Sequence, residues 1–409
     1  MTLLMLAVFT VSVGYGVVLP LLPYLIERLL GADGGPAEVS RSTGLLTGLY
    51  LLALFLFAPV WGRLSDRHGR RVILVIGLAG FGAINLVFSL VEGLTAVYAE
   101  RFLSGVFAAA VTPVALALIG DLAATDEARA RRLTFVSLAG ISGFLIGPVL
   151  GVAITRGASH LLPIGSPVGS LAIPLLATGS LAIIVALAAL AAMEAVPATN
   201  RSDALPTAAG RSSDGTGWLV PKLLLLAFIV SAAIGVFEVG LALKGKQELE
   251  LTPYQIALMF TECSLVMFVV QALVFSPRVK PETTRWFIAP AFGILATGLF
   301  VVPRTSEFTL MLTAVGVVAA SAGILSPILT YWISSRAGGA QGAALGQLTA
   351  VSSLGAAAGS AAGGLLFNVD PVPHASFLLV TILTAAAALM SVRLPSQLAR
   401  RRPGPPLGS

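Results

Sequence analysis

The sequence predicts an all-α membrane protein with twelve transmembrane helices arranged as two pseudo-symmetric six-helix bundles. Three observations lead there: the composition, a series of twelve long apolar stretches, and a glycine pattern repeated between the two halves. The 409 residues are 56% hydrophobic and 11% charged, with a mean hydropathy of +0.94; a soluble domain carries about 25% charged residues. A bilayer accommodates that apolar surplus. Each stretch is continuous over roughly the 20 residues that a helix needs to cross hydrocarbon, so helices are expected and a barrel of short alternating strands is not.

In order, the spans fall at about 3–27, 43–64, 72–92, 95–120, 133–155, 168–193, 221–243, 254–276, 286–303, 307–334, 340–367 and 373–392. The first run is too long for a removable signal and lacks a basic start and a small-residue cleavage site, so it reads as helix 1. Residues 194–218, EAVPATNRSDALPTAAGRSSDGTGW, are rich in Pro, Ser, Gly and Ala without apolar periodicity, and read as a flexible linker. This divides the chain into a six-helix bundle at 1–193, the linker at 194–218, a second bundle at 219–393 and a tail at 394–409.

The net charge of +6 does not point to nucleic acid, because the cations segregate. Assigning alternate loops to opposite faces puts eighteen Lys and Arg on one side, among them Arg63, Arg67, Arg70 and Arg71, against six on the other. By the positive-inside bias, both termini, the 62–71 loop and the 194–218 linker are cytoplasmic in a bacterial-type inner membrane. The single cysteine, Cys263, excludes an intrachain disulfide.

Span 5 carries Gly143, Gly147 and Gly151, and span 11 carries Gly355, Gly359 and Gly363; the differences 355−143, 359−147 and 363−151 all equal 212. Glycines four apart share one helix face and admit a close neighbour. Two halves with such internal symmetry suit a carrier that rocks about a midplane site.

The loop GRLSDRHGRR, Gly62–Arg71, combines basic residues with Gly62, Asp66 and Gly69. It resembles the signature loop of the major facilitator superfamily at Gly62, Leu64, Ser65, Asp66, Arg67, Gly69, Arg70 and Arg71. Further similarity lies in Arg101 with Gly105 in span 4, in GFLIGPVLG (Gly143–Gly151, with Pro148) in span 5, and in GYGVVLPLLP (Gly14–Pro23) in span 1. The Pro148 motif is similar to that of the drug:proton antiporter branches. The resemblance implies that the 62–71 loop and Gly143, Gly147, Pro148 and Gly151 govern switching between alternating states. The counterpart loop in the second half, residues 276–286, keeps cations but lacks the Asp and glycines, and Ser360 stands where the 212 offset from Pro148 points.

Ionisable residues inside a span are costly and mark function by default. Arg101 in span 4, Glu238 in span 7 and Glu262 in span 8 lie at similar depths by residue count, so they are expected to meet across a central cavity. Glu238 and Glu262 are the candidates for proton coupling, since burial and a competing cation shift a carboxyl in opposite directions. Glu100 and Glu27 read as nearer the surface. Antiporters of this resemblance often carry an acid in span 1, but Val11 to Leu19 has none, which shifts coupling to spans 7 and 8.

Substrate contacts are assigned to Arg101, Tyr15, Tyr50, Gln271, Tyr331, Trp332 and Gln347. Met259, Glu262, Cys263 and Met267 share span 8, but His68, His160 and His374 all lie in loops, so no metal site is expected. The absence of a nucleophile with a base, or of a phosphate-binding loop, argues against an enzyme. The expectation is a monomeric secondary carrier without a cofactor, driven by a proton gradient and exporting lipophilic or amphipathic small molecules. An importer of a small nutrient or organic anion anchored on Arg101 is the alternative. A non-transporting receptor or scaffold is the alternative of another class.

Overall fold

The computed structural model describes the chain except for residues 32–33, 91–92, 123–125, 160–171, 194–217, 275–280, 337–340, 371 and 400–409. The expected linker, except Trp218, and most of the tail lie outside the described residues, as do the first residues of the 276–286 loop.

Fourteen helices are described: α1 (Thr2–Val18), α2 (Leu22–Leu30), α3 (Pro36–His68), α4 (Arg70–Phe88), α5 (Leu94–Leu122), α6 (Asp126–Ser159), α7 (Ala172–Ala192), α8 (Leu219–Gln247), α9 (Pro253–Val274), α10 (Ile288–Val301), α11 (Phe308–Arg336), α12 (Gln341–Leu365), α13 (Ala375–Ser391) and α14 (Leu394–Ala399). Short 3₁₀ turns, Pro281–Phe287 and Val302–Arg304, extend α10 at both ends. Ten helices are long and apolar enough to span, and α1 with α2 forms an eleventh span bent by 50°. The bend follows from Pro20 and Pro23: the helix stops before the first and restarts with the second in its first turn, where a missing N–H costs nothing. The 17-residue α13, about 25 Å long, is the twelfth.

Helix α3 differs from its expected span. It begins at Pro36, well before residue 43, because its early polar residues are satisfied within the helix: the Ser40, Thr43 and Thr47 hydroxyls donate to carbonyls four residues back at 2.9, 2.7 and 2.9 Å. It also continues to His68, so Gly62 is inside a helix and not in a turn. The turn to α4 is Gly69 alone, at φ +93°, a conformation that favours glycine.

The matched glycines explain the symmetry of the two bundles. Gly143, Gly147 and Gly151 of α6 pack on α1; a Cβ at Gly143 would lie 2.6 Å from the Phe9 carbonyl oxygen, and one at Gly147 would lie 2.9 Å from that of Val13. Gly355 and Gly359 of α12 meet Phe228 and Ala232 of α8 in the same way, at 2.6 and 2.1 Å. The partners are themselves offset by a constant, 228−9 and 232−13 both being 219. The repeat therefore records the same helix pair, first span against fifth, built twice. Helix α6 runs through Pro148, whose ring packs against Gly16.

The halves join along two seams, α3 with α12 and α6 with α9. The first is closed backbone to backbone, with Gly44 and Gly364 so near that a Cβ on Gly44 would lie 2.6 Å from the Gly364 Cα. At the second, the Thr261 hydroxyl donates to the Leu145 carbonyl at 3.2 Å, and Arg156 lies over the Tyr254 ring at 4.9 Å.

Candidate functional site

Polar contacts between the halves gather at the end opposite the 62–71 loop, here called the outer end. Lys246 pairs with Glu27 at 2.5 Å and lies over the Tyr24 ring, while the Tyr24 hydroxyl donates to the Leu251 carbonyl. Gln247 donates to the Pro36 carbonyl and the Ser40 hydroxyl, both at 3.1 Å. Asn368 donates to Ser40 and Gln247, both at 2.9 Å. Beside this plug, Glu248 accepts from Lys244 at 2.5 Å and from His374. Burial alone would raise the Glu248 carboxyl, but bonds and charge from His374 and Lys244 outweigh it and hold it below the usual range.

A cavity of about 310 Å³ lies between the halves. Tyr15 and Phe144 line it from the first half, and Phe237, Glu238, Met267 and Gln271 from the second. Apart from Ser264, whose hydroxyl donates to the Phe260 carbonyl, and Cys263, its other walls are apolar. The Tyr15 hydroxyl donates to Glu238 Oε2 at 2.9 Å, a hydrogen bond between α1 and α8 and hence between the two halves. Tyr15 stacks on Tyr50 with ring centres 5.3 Å apart, and on Phe144 at 5.8 Å. The Arg101 guanidinium lies over the Tyr50 ring at 5.5 Å. Gly105, one turn along α5 from Arg101, makes this possible: a Cβ there would lie 2.6 Å from the Tyr50 carbonyl oxygen, so only glycine lets α5 and α3 approach so closely.

Arg101 does not reach either expected carboxylate. Its Nε and one Nη donate to the two oxygens of Glu100, both at 2.5 Å, and Ser104 adds a bond to Glu100 at 2.7 Å. The pair is shut away, with Glu100 1% and Arg101 3% exposed, which corrects the reading of Glu100 as a surface residue. Adjacent helix positions do not ordinarily face each other, so sequence spacing gave no reason to join them; the signal was that the arginine placed deep inside span 4 had an acid beside it. Glu100→Gln is expected to strand the Arg101 charge and cost roughly 3–5 kcal/mol. Thermal unfolding in detergent measures this, and Arg101→Met added to Glu100→Gln should recover most of the loss.

Arg101 thus contributes to the cavity through the two tyrosines and not as a lining residue. Glu262 is also displaced from its expected place. Its carboxylate lies against α11 at Gly316, and its Oε2 is buried without a hydrogen-bond partner among the described residues; the cavity lining does not include it. Neighbouring Cys263 takes the cavity-facing position instead. Tyr331, Trp332 and Gln347 do not line the cavity either. Trp332 is roughly 15 Å along α11 from Ala322, a lining residue; its indole N–H donates to Thr284 at 3.1 Å and its ring packs on Tyr331. Gln347 is exposed in the first turns of α12.

The 62–71 loop is held within its own half by the contacts found. Arg70 bridges Asp66 at 2.7 Å and Asp121 of α5 at 3.1 Å, and it donates to the Ser65 hydroxyl. Arg71 donates to the Leu190 carbonyl. Asp66 therefore pairs with an arginine one turn away, and Asp121 is a partner of that arginine that the loop sequence alone did not reveal. Arg67 is exposed.

Two six-helix bundles joined along two seams, with a carboxylate cavity between them and a plug at one end, define a two-bundle membrane carrier fold. The sequence profile described as Major Facilitator Superfamily matches residues 4–360. The chain belongs to that family. It is 25% identical over 409 residues to multidrug resistance protein 1 of Bacillus subtilis strain 168, covering 97% of each. It is 24% identical over 374 residues to quinolone resistance protein NorA of Staphylococcus aureus, covering 88% of each. Among solved structures, a bacterial homologue of the human lysosomal transporter Spinster, inward-facing and occupied, superposes with a TM-score of 0.77 at 16% identity over 98% of each chain. A D-xylose–proton symporter gives 0.72 at 14% identity over 97% of this chain and 98% of its own. At these identities the structural likeness shows the fold alone.

Proposed function

We propose that the chain is a proton-coupled exporter of lipophilic or amphipathic small molecules, working as a monomer in a bacterial plasma membrane with both termini in the cytoplasm. The observation that carries this reading is Glu238: a carboxylate in an apolar cavity, hydrogen-bonded across the two halves to Tyr15 and paired with no cation among the described residues. A cavity of this kind takes bulky apolar solutes and offers a single site for positive charge. The resistance proteins of Bacillus and Staphylococcus support export as the direction. The proton gradient, rather than a bound cofactor, drives the cycle.

In this reading the structure is the inward-facing state. The outer plug of Lys246, Gln247, Asn368 and Tyr24 seals the far side, and Gly44 against Gly364 seals the α3–α12 seam. Substrate from the cytoplasm or inner leaflet enters beside Met267 and Gln271 and displaces the proton held at Glu238. The halves then rock, breaking the outer bonds, and Asp66, Arg67, Arg70, Arg71 and the α6 glycines with Pro148 set the alternative closure. Outside, protonation of Glu238 releases a cationic substrate. The neutral Glu100–Arg101 pair fixes Tyr50, which in turn fixes Tyr15, so the donor to Glu238 is held by the first half while the acceptor belongs to the second.

An importer with Arg101 as anion anchor is disfavoured by geometry, because Glu100 already balances its charge through the Nε–Nη edge and the guanidinium does not line the cavity. Proteoliposomes holding the protein with its cytoplasmic face outward and an acidic lumen should accumulate tetraphenylphosphonium, and nigericin should abolish the accumulation. Accumulation of a small organic anion or sugar in its place would overturn the proposal.

A further inference from the structure

A second cavity, about 250 Å³, lies far from the first, in the groove between α10 and α13 at the outer end. The helices packed closely on α10 and α13 all belong to the second half, so the groove is on the periphery. Its trough is apolar, formed by Leu299, Phe300, Phe377 and Leu378. Phe300 and Leu378 are each 44% exposed, which opens the trough to the surrounding hydrocarbon.

The head of the groove is cationic. Arg304 lies over the Phe300 ring at 3.6 Å and donates to the Phe300 carbonyl at 2.6 Å, which folds it over the end of α10. Behind it, Lys244 donates to the Pro303 carbonyl at 3.0 Å and pairs with Glu248, which also bonds His374. The cluster thus contains two permanent cations, a histidine and one acid. Glu307 and Asp370 on the flanking loops are exposed and contribute no lining atoms.

Deeper in the trough is a donor without an acceptor. The hydroxyls of Thr43, Thr47 and Thr384 donate to carbonyls four residues back, as is usual for threonine in a span. The Thr381 hydroxyl is buried and has no such bond among the described residues, and it lines the groove. It lies seven residues, roughly 10 Å, below His374 along α13.

We infer that this groove binds an anionic glycerophospholipid from the leaflet at the outer end, with its phosphate on Arg304, an ester carbonyl accepting from Thr381, and an acyl chain along Leu299, Phe377 and Leu378. A cation above an open apolar trough is complementary to a lipid in its own leaflet, and the orphaned hydroxyl supplies the donor that a glycerol ester requires. Lys244 and Glu248 flank the end of α8 from which Gln247 ties the halves together. Lipid in the groove therefore braces the closed outer end.

The test is competition between phosphatidylglycerol and phosphatidylcholine for the delipidated full-length protein in detergent, with retained lipid counted by native mass spectrometry. Retention of phosphatidylglycerol over phosphatidylcholine is expected at about fivefold, the effect of one cation at a membrane surface. Arg304→Gln should bring the ratio to parity. Leu378→Trp, which fills the trough at an exposed position, should remove one bound lipid of either kind, and Val372→Trp, just before α13, should do so from nearer the head of the groove if the first variant fails to fold. A ratio unchanged in Arg304→Gln, or a lipid count unchanged in both tryptophan variants, would overturn the inference. So would inorganic phosphate that displaces phosphatidylglycerol at matched concentration, which would make the head a soluble-anion site.

Discussion

Gly44→Val should hold the outer end of the protein open. A Cβ at that position would lie 2.6 Å from the Gly364 Cα and backbone nitrogen and from the Ser360 carbonyl oxygen. All three are backbone atoms, so no rotamer change relieves the clash. The contact joins α3 to α12 and therefore penalises only the state in which the halves meet there. Each bundle keeps its own packing. Overpacking of this kind costs roughly 1–3 kcal/mol, which shifts a two-state ratio by about 5- to 150-fold. The chain carries its own reporter in Cys263, its one cysteine, which lines the cavity and is 7% exposed. A membrane-impermeant maleimide added from the outer side should label Cys263 faster in Gly44→Val than in the wild type; an unchanged rate in a folded variant would contradict the assignment of this seam as a gate. Gly359→Val makes the contrast. Its clash, 2.1 Å from the Ala232 carbonyl oxygen, lies within one bundle, so it should lower stability without raising outer labelling.

Glu238→Gln is expected to uncouple transport while leaving the cavity's shape intact, since glutamine keeps an acceptor for the Tyr15 hydroxyl but loses both the exchangeable proton and the negative charge. For a monovalent cation exchanged for one proton, each pH unit across the membrane sustains about a tenfold concentration ratio, so two units sustain roughly a hundredfold ratio. Wild-type proteoliposomes should approach that accumulation, and those with Glu238→Gln, neutral like the protonated cavity, should stay near a ratio of about one and bind tetraphenylphosphonium more weakly. Retention of gradient-driven accumulation by Glu238→Gln would move the proton to another group.

The architecture was legible because it rests on long-range regularities of a simple kind. Apolar length marks the spans, and the constant offset of 212 marks the repeated helix pair. Glu238 was legible for a similar reason, as one of very few charges in hydrocarbon. The partnerships were less so. Arg101 was expected to face Glu238 or Glu262 because depth along a span can be counted, whereas the direction in which a side chain leaves the helix cannot; the nearest acid, Glu100, captured it instead. Glu262 shares the depth of the site but turns towards α11, and Trp332, Tyr331 and Gln347 belong to other levels of the membrane. The outer plug was not legible at all. Ser40, Lys246, Gln247 and Asn368 look like ordinary residues at helix ends, and only the tertiary approach of two halves more than 200 positions apart, as 207 between Ser40 and Gln247, makes them a gate.

The central claim is that substrate and proton compete at Glu238, and proton release on binding tests it most directly. Purified protein in weakly buffered detergent near neutral pH can be titrated with tetraphenylphosphonium while a pH dye reports the protons set free. Release of up to one proton per bound cation, rising as the pH is lowered, is expected from the wild type and from Glu262→Gln, and none from Glu238→Gln, as linkage requires when one group exchanges a proton for a ligand. Binding by the wild type without proton release, or release undiminished in Glu238→Gln, would contradict the competition.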